Sequence, residues 1–294
     1  MNTLIQKAKA YFRRDSLFYR ICKCVYTLPR YYFSSHGYIR QYLIFPIEAF
    51  GRKHHIKPFY NANTQLLETL KGKHSGRRAF VIATGPSLKL EDVEKLDGEV
   101  TIGVNSLFKL YDKTGFRPTY YMVLDADVQT VVEKHIDDFQ HMCKENMFMN
   151  PLRKVKHKGV NYIPLCYQNH WFNLGNDRFD YTKNLKYNDD LVWGFYDKYT
   201  ITNVAIDLAI YMGCKDIYLI GVDCNYTGPK VHFDEIGDET PRVSYDIAYH
   251  TQKAMMAGYR FMERETKKRG IHIMNATRGG MLEEFDRVDF DTLF

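Results

Sequence analysis

A turn that contains a glycine, a proline and a serine is the first place where this sequence could hold a ligand. Residues 79–88 read Ala-Phe-Val-Ile-Ala-Thr-Gly-Pro-Ser-Leu, so an apolar run ends abruptly at Thr84, Gly85, Pro86 and Ser87. Glycine lets a ligand approach the main chain closely, and the serine could both cap the next helix and donate its hydroxyl group. Free N–H groups at the start of that helix would seat a phosphate. An ordinary strand-to-helix turn has the same pattern, and this stretch alone does not separate the two interpretations.

Polar side chains follow the other predicted strands as well. Asn105 follows the second strand; its amide suits a nucleobase, a ribose or a phosphate, although asparagine also closes ordinary turns. Asp125 and Asp127 form a D-x-D pattern after the third strand and could hold Mg²⁺ bridged to phosphates, or Asp125 could cap a helix. The other polar residues of this kind begin a helix or follow a later strand: Thr202, Asn203, Asp223 and Tyr226.

Two histidines are candidate general bases. A neutral imidazole can remove a proton from a hydroxyl group near neutral pH. Of the eleven histidines, His232 and His250 lie nearest in sequence to these strand ends, although a single histidine is more often structural than catalytic. The sequence contains no G-x-S-x-G, Walker-type or H-E-x-x-H motif, which excludes serine hydrolases, P-loop kinases and zincins.

The elements that must position these residues alternate along the chain. Strands are predicted at 79–84, 100–104, 119–124, 160–164, 216–221 and 271–274, and helices at 128–139, 202–213 and 245–269. This alternation favours an α/β, Rossmann-like fold with a doubly wound, mostly parallel sheet and ligands at the carboxyl ends of its strands. We expect a catalytic domain at residues 61–294, with a lid near residues 165–200.

The first 60 residues are strongly basic. They contain eleven lysines and arginines against two acids, Asp15 and Glu48, with large aromatic residues in between. This pattern favours a basic helical arm, residues 1–60, that lies on an anionic membrane surface. An arm packed on its own domain or on a sister subunit fits the pattern equally well. Nucleic acid is not an expected partner, because no nucleic-acid-binding signature appears elsewhere in the sequence.

Composition places the chain among globular proteins. Its 294 residues are 45% hydrophobic and 26% charged, with a net charge of +6. The six cysteines have neither C-x-x-C nor zinc spacing, which indicates reduced thiols in a cytosolic protein. With neither a signal peptide nor a bilayer-spanning run in the sequence, we expect a cytoplasmic protein, peripheral at the inner face of the membrane.

Taken together, the motifs resemble those of the MptE-like (DUF115) superfamily, which includes archaeal hydroxymethylpterin pyrophosphokinases and the catalytic part of flagellin nonulosonate transferases. The resemblance covers about residues 76–294. It is carried by Gly85-Pro86-Ser87-Leu88, Asn105, Asp125, the Tyr-Met-Gly of 211–213, the Ile-Tyr-Leu-Ile-Gly-Val-Asp of 217–223 and the Asn-Ala-Thr-Arg-Gly-Gly of 275–280.

The chain is also similar to the small bacterial sialyltransferases of glycosyltransferase family 42. That similarity implies a GT-A-like, Rossmann-like fold, a CMP-sugar donor and no obligatory metal. It also implies that His250 is the general base and that Tyr226 assists the leaving phosphate. The chain has Thr84 and Asp125 where that family has asparagine, which weakens the case for sialic acid and brings the site closer to a metal-using relative. The expected nucleotide site comprises Thr84, Gly85, Pro86, Ser87, Asn105, Asp125, Thr202, Asn203 and Asp223.

These expectations describe a glycosyltransferase of bacterial surface polysaccharide or glycolipid synthesis. It would transfer sialic acid, Kdo or another nonulosonate from a CMP-sugar to a glycan or lipid-linked acceptor, with His250 as base and His232 in reserve. The first alternative is a Mg²⁺-dependent pyrophosphokinase of the hydroxymethylpterin type, in which Asp125 and Asp127 hold the metal. The second is a non-catalytic nucleotide- or glycan-binding subunit. A homo-oligomer is compatible with each of these functions.

Overall fold

A mostly parallel sheet forms the centre of the molecule. The structure, a computed structural model, describes residues 25, 29, 32–34, 37–134, 142–150, 157–169, 180–226 and 245–294, with 245–248 described by their backbone alone. Within these residues the strands are β1 Ala79–Ile82, β2 Val100–Val104, β3 Tyr120–Val123, β4 Asn146–Met149, β5 Val160–Tyr162, β6 Leu165–Cys166, β7 Phe195–Tyr196, β8 Asp216–Ile220, β9 His272–Asn275 and β10 Asp286–Arg287.

The strand order reverses at the first strand, as a doubly wound sheet requires. The order is β5-β4-β3-β2-β1-β8-β9-β10, and every neighbouring pair is parallel. The chain runs outward from β1 to β5 and then returns to the other side of β1 as β8. Val81 of β1 therefore lies between Ile102 of β2 and Leu219 of β8. The predicted Rossmann-like α/β fold is confirmed, and ligands of such folds bind at the carboxyl ends of the strands beside the reversal of strand order.

Helices cover both faces of this sheet. They are α1 Phe45–Lys53, α2 Ala62–Leu70, α3 Leu90–Glu94, α4 Ala126–Val132, α5 Ile201–Tyr211 and α6 Tyr245–Lys267, with a π-helix at Ile39–Ile44 and 3-10 helices at Asn105–Leu110 and Phe290–Leu293. Alternate residues of each central strand point to opposite faces. Val81 and Tyr120 pack in the core beneath α5, whereas Phe80 and Tyr121 pack in the core on the other face.

The six predicted strands are all present, with ends that shift by one or two residues. The sequence does not predict four of the observed strands, β4, β6, β7 and β10. β4 is a short Asn-Met-Phe-Met run, and the other three strands have two residues each, so no alternation could be read from them. The predicted helix at 128–139 begins earlier, at Ala126, and its residues 135–139 lie outside the described residues.

The end of the basic arm packs on the body of the protein. Phe45 and Ala49 of α1 are buried against Cys166 of β6. The guanidinium group of Arg52 donates to the carbonyl oxygens of Val192, at 3.0 Å, and Trp193, at 2.6 Å. A domain boundary at residue 60 remains a prediction, as does the mobility of the lid near 165–200. Along the described part of the chain, no helix has the length and apolar character needed to cross a bilayer.

Candidate functional site

A pocket of about 480 Å³ opens at the carboxyl ends of the strands where the sheet order reverses. Most of its lining lies at the ends of strands of the sheet: Ala83, Thr84 and Gly85 after β1, Val104 and Asn105 at the end of β2, Leu124, Asp125 and Ala126 after β3, Asn150 after β4, and Gly221 to Tyr226 after β8. The rest comes from the predicted lid and two helices: Leu165, Tyr167, Asp197, Tyr199, Thr200, Ile201, Thr202, Met255 and Tyr259.

Gly85 and Asp223 meet at the base of this pocket. The Gly85 N–H donates to the carbonyl oxygen of Gly221 at 2.8 Å. The Asp223 Oδ2 atom accepts the Ser87 hydroxyl at 2.8 Å and the Ser87 N–H at 3.3 Å. A Cβ atom on Gly85 would lie 2.0 Å from Asp223 Oδ2, so the turn requires glycine. The turn after β8 therefore brings Asp223 into contact with the turn after β1.

The expectation that Ser87 caps the next helix is wrong. Ser87 donates its hydroxyl to Asp223 instead, and α3 begins three residues later, at Leu90, with Lys89 in the cap position. α3 is five residues long, and none of its residues lines the pocket, so the phosphate seat stays a prediction. Pro86 and Ser87 adjoin the pocket without lining it, whereas Thr84 and Gly85 line it.

Asn105 lines the pocket in an unusual backbone conformation. Its φ of 49° lies in the left-handed region, at the start of the 3-10 helix that follows β2. Its carbonyl oxygen accepts a hydrogen bond from the buried Tyr121 hydroxyl, which fixes the turn. The side-chain Oδ1 atom is buried and has no hydrogen-bond partner among the described residues. A buried amide oxygen of this kind is stabilised when a ligand donates to it.

The structure brings Asp125, but not Asp127, to the pocket. Asp125 Oδ1 accepts the N–H groups of Asp127 at 2.9 Å and Val128 at 3.0 Å and so caps α4. The cap uses one carboxylate oxygen and leaves the other for a ligand. The side chains that the structure describes contain no group of three or more His, Cys, Asp or Glu residues arranged to hold a metal ion.

Of the two predicted ligand residues at the start of α5, one lines the pocket and the other does not. Thr202 lines the pocket, and its N–H is accepted by the Thr200 hydroxyl at 3.3 Å. Asn203 does not line the pocket; it is fully buried and its Nδ2 donates to the Lys198 carbonyl oxygen at 3.1 Å. Its position in the core supports the loop before α5 rather than a bound nucleotide.

Tyr226 lines the pocket and is half-buried. Burial raises the pKa of Tyr226 above its usual value of 10, so the hydroxyl stays protonated near neutral pH and can donate a hydrogen bond. Burial also raises the pKa of the neighbouring Cys224 thiol to about 12, which keeps this sulfur a poor nucleophile.

His250 lies outside the pocket lining but is connected to it through two tyrosines. Its Nδ1 atom is 2.8 Å from the Tyr181 hydroxyl, and the Tyr181 ring packs edge-on against Tyr199, 5.6 Å between centroids. Tyr199 lines the pocket. His250 is exposed on α6, five residues before Met255, which also lines the pocket. His232 lies outside the described residues.

Sequence reasoning missed Asn150 and Tyr167. Asn150 Nδ2 donates to the Leu124 carbonyl oxygen at 2.8 Å and to the Tyr167 hydroxyl at 2.7 Å, which joins the sheet to the predicted lid. The Tyr167 N–H in turn donates to Gln41 Oε1 at 2.7 Å. Asn150 follows the unpredicted strand β4, so recognising that strand would have found it.

The charged side chains that line the pocket in the described part of the chain are all acidic. Among the described residues that line it there is no lysine, arginine or histidine, whereas Asp125, Asp197 and Asp223 are all present. Hydroxyl, phenol and amide groups supply the remaining polar surface, beside apolar and aromatic side chains. Such a lining offers hydrogen-bond donors and acceptors to a ring system with hydroxyl groups.

The chain matches the model of a known protein family. A family model described as "6-hydroxymethylpterin diphosphokinase MptE-like" matches residues 53–229. The chain belongs to this MptE-like family, as the sequence resemblance predicts. A search of curated proteins finds no match.

Two solved structures resemble this one at low identity. The MAf glycosyltransferase from Magnetospirillum magneticum AMB-1 is 17% identical over 79% of this chain, with a TM-score of 0.46, and the match spans 38% of that protein. The sialyltransferase CstII from Campylobacter jejuni, solved with the substrate analogue CMP-3FNeuAc, is 15% identical over 72% of this chain and 86% of its own, with a TM-score of 0.41. Function is therefore inferred from the site itself.

Proposed function

We propose that this protein is a glycosyltransferase that takes a nonulosonate such as sialic acid or Kdo from a CMP-sugar. Its acceptor is a hydroxyl group of a glycan or lipid-linked glycan of the bacterial surface, reached from the cytoplasmic face of a membrane. The observation that carries the proposal is the pocket at the strand reversal, where Asn105 presents a buried amide oxygen without a partner among the described residues and Tyr226 presents a protonated phenol. The sequence resemblance to the family 42 sialyltransferases supports a CMP-sugar as the donor.

The roles of the pocket residues follow from their chemistry. The unpartnered Asn105 Oδ1 would accept a hydrogen bond from the nucleoside. The hydroxyl groups of Thr84 and Thr202 would donate to the phosphate. The protonated Tyr226 phenol would donate to the phosphate oxygens as negative charge develops on them.

The acceptor would be activated from the rim of the pocket. In the proposed reaction the acceptor oxygen forms a bond to the anomeric carbon, the bond from that carbon to the phosphate oxygen breaks, and CMP leaves. His250 would take the acceptor hydroxyl proton, and its link through Tyr181 to Tyr199 supports this position. His232 is the reserve base. No metal is required by this route, and Mg²⁺ would at most assist the leaving phosphate through Asp125.

Hydrolysis of CMP-sialic acid and CMP-Kdo, in which water takes the place of the acceptor hydroxyl and CMP is released, tests the proposal. We expect Tyr226→Phe to lower the rate of CMP release by about 10- to 100-fold, because its phenol stabilises the leaving group. Tyr38→Phe is the matched control, since Tyr38 is exposed and does not line the pocket. Unchanged release by Tyr226→Phe, or no release from either donor, would contradict the proposal.

A second candidate is a diphosphokinase that transfers diphosphate from ATP to a pterin alcohol. The family description and the carboxylate of Asp125 in the pocket favour it. The position of Asp127 outside the lining counts against Asp125 and Asp127 as a pair that holds Mg²⁺. Pterin diphosphate formation that depends strictly on Mg²⁺ would establish this activity.

A further inference from the structure

An exposed apolar stripe runs from the end of the π-helix onto the outer side of α1. Of thirteen exposed large hydrophobic side chains in the described part of the chain, nine fall between Val25 and Ile56. Leu43, Ile47 and Phe50 are 51%, 63% and 53% exposed. Ile47 and Phe50 lie three residues apart on one side of α1, and Leu43 lies four residues before Ile47, at the end of the π-helix. Solvated proteins rarely leave such a stripe uncovered, so a partner is indicated.

The other side of the same helix is anchored. Phe45 and Ala49 are buried against the body, and the Arg52 guanidinium group holds the carbonyl oxygens of Val192 and Trp193. The stripe therefore cannot turn inward without breaking this packing. The segment also contacts the pocket wall, because Gln41 Oε1 accepts the N–H of Tyr167.

The segment that carries the stripe is basic in sequence. Residues 1–60 contain eleven lysines and arginines and two acids. Of the cationic residues that the structure describes in this segment, Arg40 pairs with Glu48 at 2.8 Å, Lys53 pairs with Asp190, and Arg52 is buried. An apolar stripe in a segment whose sequence has this excess of cationic residues complements the surface of an anionic bilayer, whose headgroups attract lysine and arginine while its acyl region accepts apolar side chains.

We propose that Leu43, Ile47 and Phe50 insert into the surface of an anionic bilayer and that α1 is the docking helix. This inference gives the membrane part of the proposed function a defined surface and does not rest on its chemistry. Docking through α1 would bring the Tyr167 wall of the pocket towards the membrane, where a lipid-linked acceptor lies.

Flotation of the purified full chain with lipid vesicles tests this inference. We expect binding to vesicles of phosphatidylcholine with phosphatidylglycerol and much weaker binding to phosphatidylcholine alone. Ile47→Ser/Phe50→Ser should weaken binding about tenfold or more, because both apolar groups leave the bilayer. Val131→Ser is the matched control: Val131 is 40% exposed on α4, away from the stripe, and its loss should change nothing.

Three results would overturn the inference. They are no binding to the anionic vesicles, equal binding to both vesicle types, and wild-type binding by Ile47→Ser/Phe50→Ser. Sedimentation of the same samples covers the remaining occupant: a wild-type dimer that dissociates in the double variant would assign the stripe to a second copy of the chain instead. CMP release in solution is measured in parallel and should be unchanged. Loss of vesicle binding is thereby separated from failure of the chemistry.

Discussion

At the scale of single residues, the contact between Gly85 and Asp223 decides the geometry of the pocket. These two residues are far apart in sequence, yet a Cβ atom on Gly85 would overlap the Asp223 carboxylate and lie 2.5 Å from the Gly221 carbonyl oxygen. The same carboxylate holds Ser87. The turn after β1 and the turn after β8 are therefore one unit, and a change in either one alters the pocket.

Gly85→Ala should damage both stability and ligand binding. Forcing a methyl group into this contact costs about 1–3 kcal/mol in the free energy of unfolding and displaces Asp223. Urea unfolding measures the first effect and calorimetric titration with CMP measures the second. Gly115→Ala is the control, because a Cβ there meets no atom within 4 Å. If Gly85→Ala matched the control in both measurements, the packing of this turn would have no importance for the site.

His74 should make stability depend on pH. It is buried, its Nε2 atom is 2.8 Å from the Tyr120 hydroxyl, and burial lowers the pKa of His74 below its usual value of 6.5. The unfolded chain then binds more protons than the folded one as the pH falls below 6.5, so stability declines in that direction. We expect the urea midpoint of the wild type to fall between pH 6.5 and 5.5, and that of His74→Gln to fall less. Equal declines would show that His74 does not contribute.

At the scale of elements, Asp125 has two separable roles because it both caps α4 and faces the pocket. Asp125→Ala removes the cap and should lower the free energy of unfolding by about 1 kcal/mol. Asp125→Asn keeps an oxygen acceptor and should retain both stability and CMP binding. Loss of nucleotide binding by a stable Asp125→Asn protein would show that the negative charge is needed, in favour of a metal-dependent site.

Strands and helices with long apolar patterns were predictable, whereas contacts between distant segments were not. The strands at 79–84 and 216–221 are predictable from the sequence because a strand buried on both faces is apolar throughout. The cap assigned to Ser87 failed because its hydroxyl bonds to a residue 136 positions away, which no local pattern reveals. Asn203 was placed in the site because it begins α5 beside Thr202, but neighbouring helical residues face different ways, and Asn203 faces Lys198.

At the scale of the whole molecule, three parts of the chain meet around one pocket. The sheet supplies the turns with Gly85, Asn105 and Asp223, and the region of β6 and β7 supplies Tyr167 and Tyr199. The segment before β1 supports that region through Gln41. Such an arrangement links the pocket to α1, as the proposed transfer of a sugar to an acceptor at a membrane requires.

Thermal-shift binding of CMP, CDP, UDP, GDP and ATP, each with Mg²⁺ and with EDTA, tests the proposed CMP-sugar transferase function most directly. A ligand that binds the folded state raises the melting temperature by mass action. We predict that CMP raises the melting temperature of the protein and that the increase persists in EDTA. An increase with ATP alone, seen only when Mg²⁺ is present, would contradict it and favour the diphosphokinase.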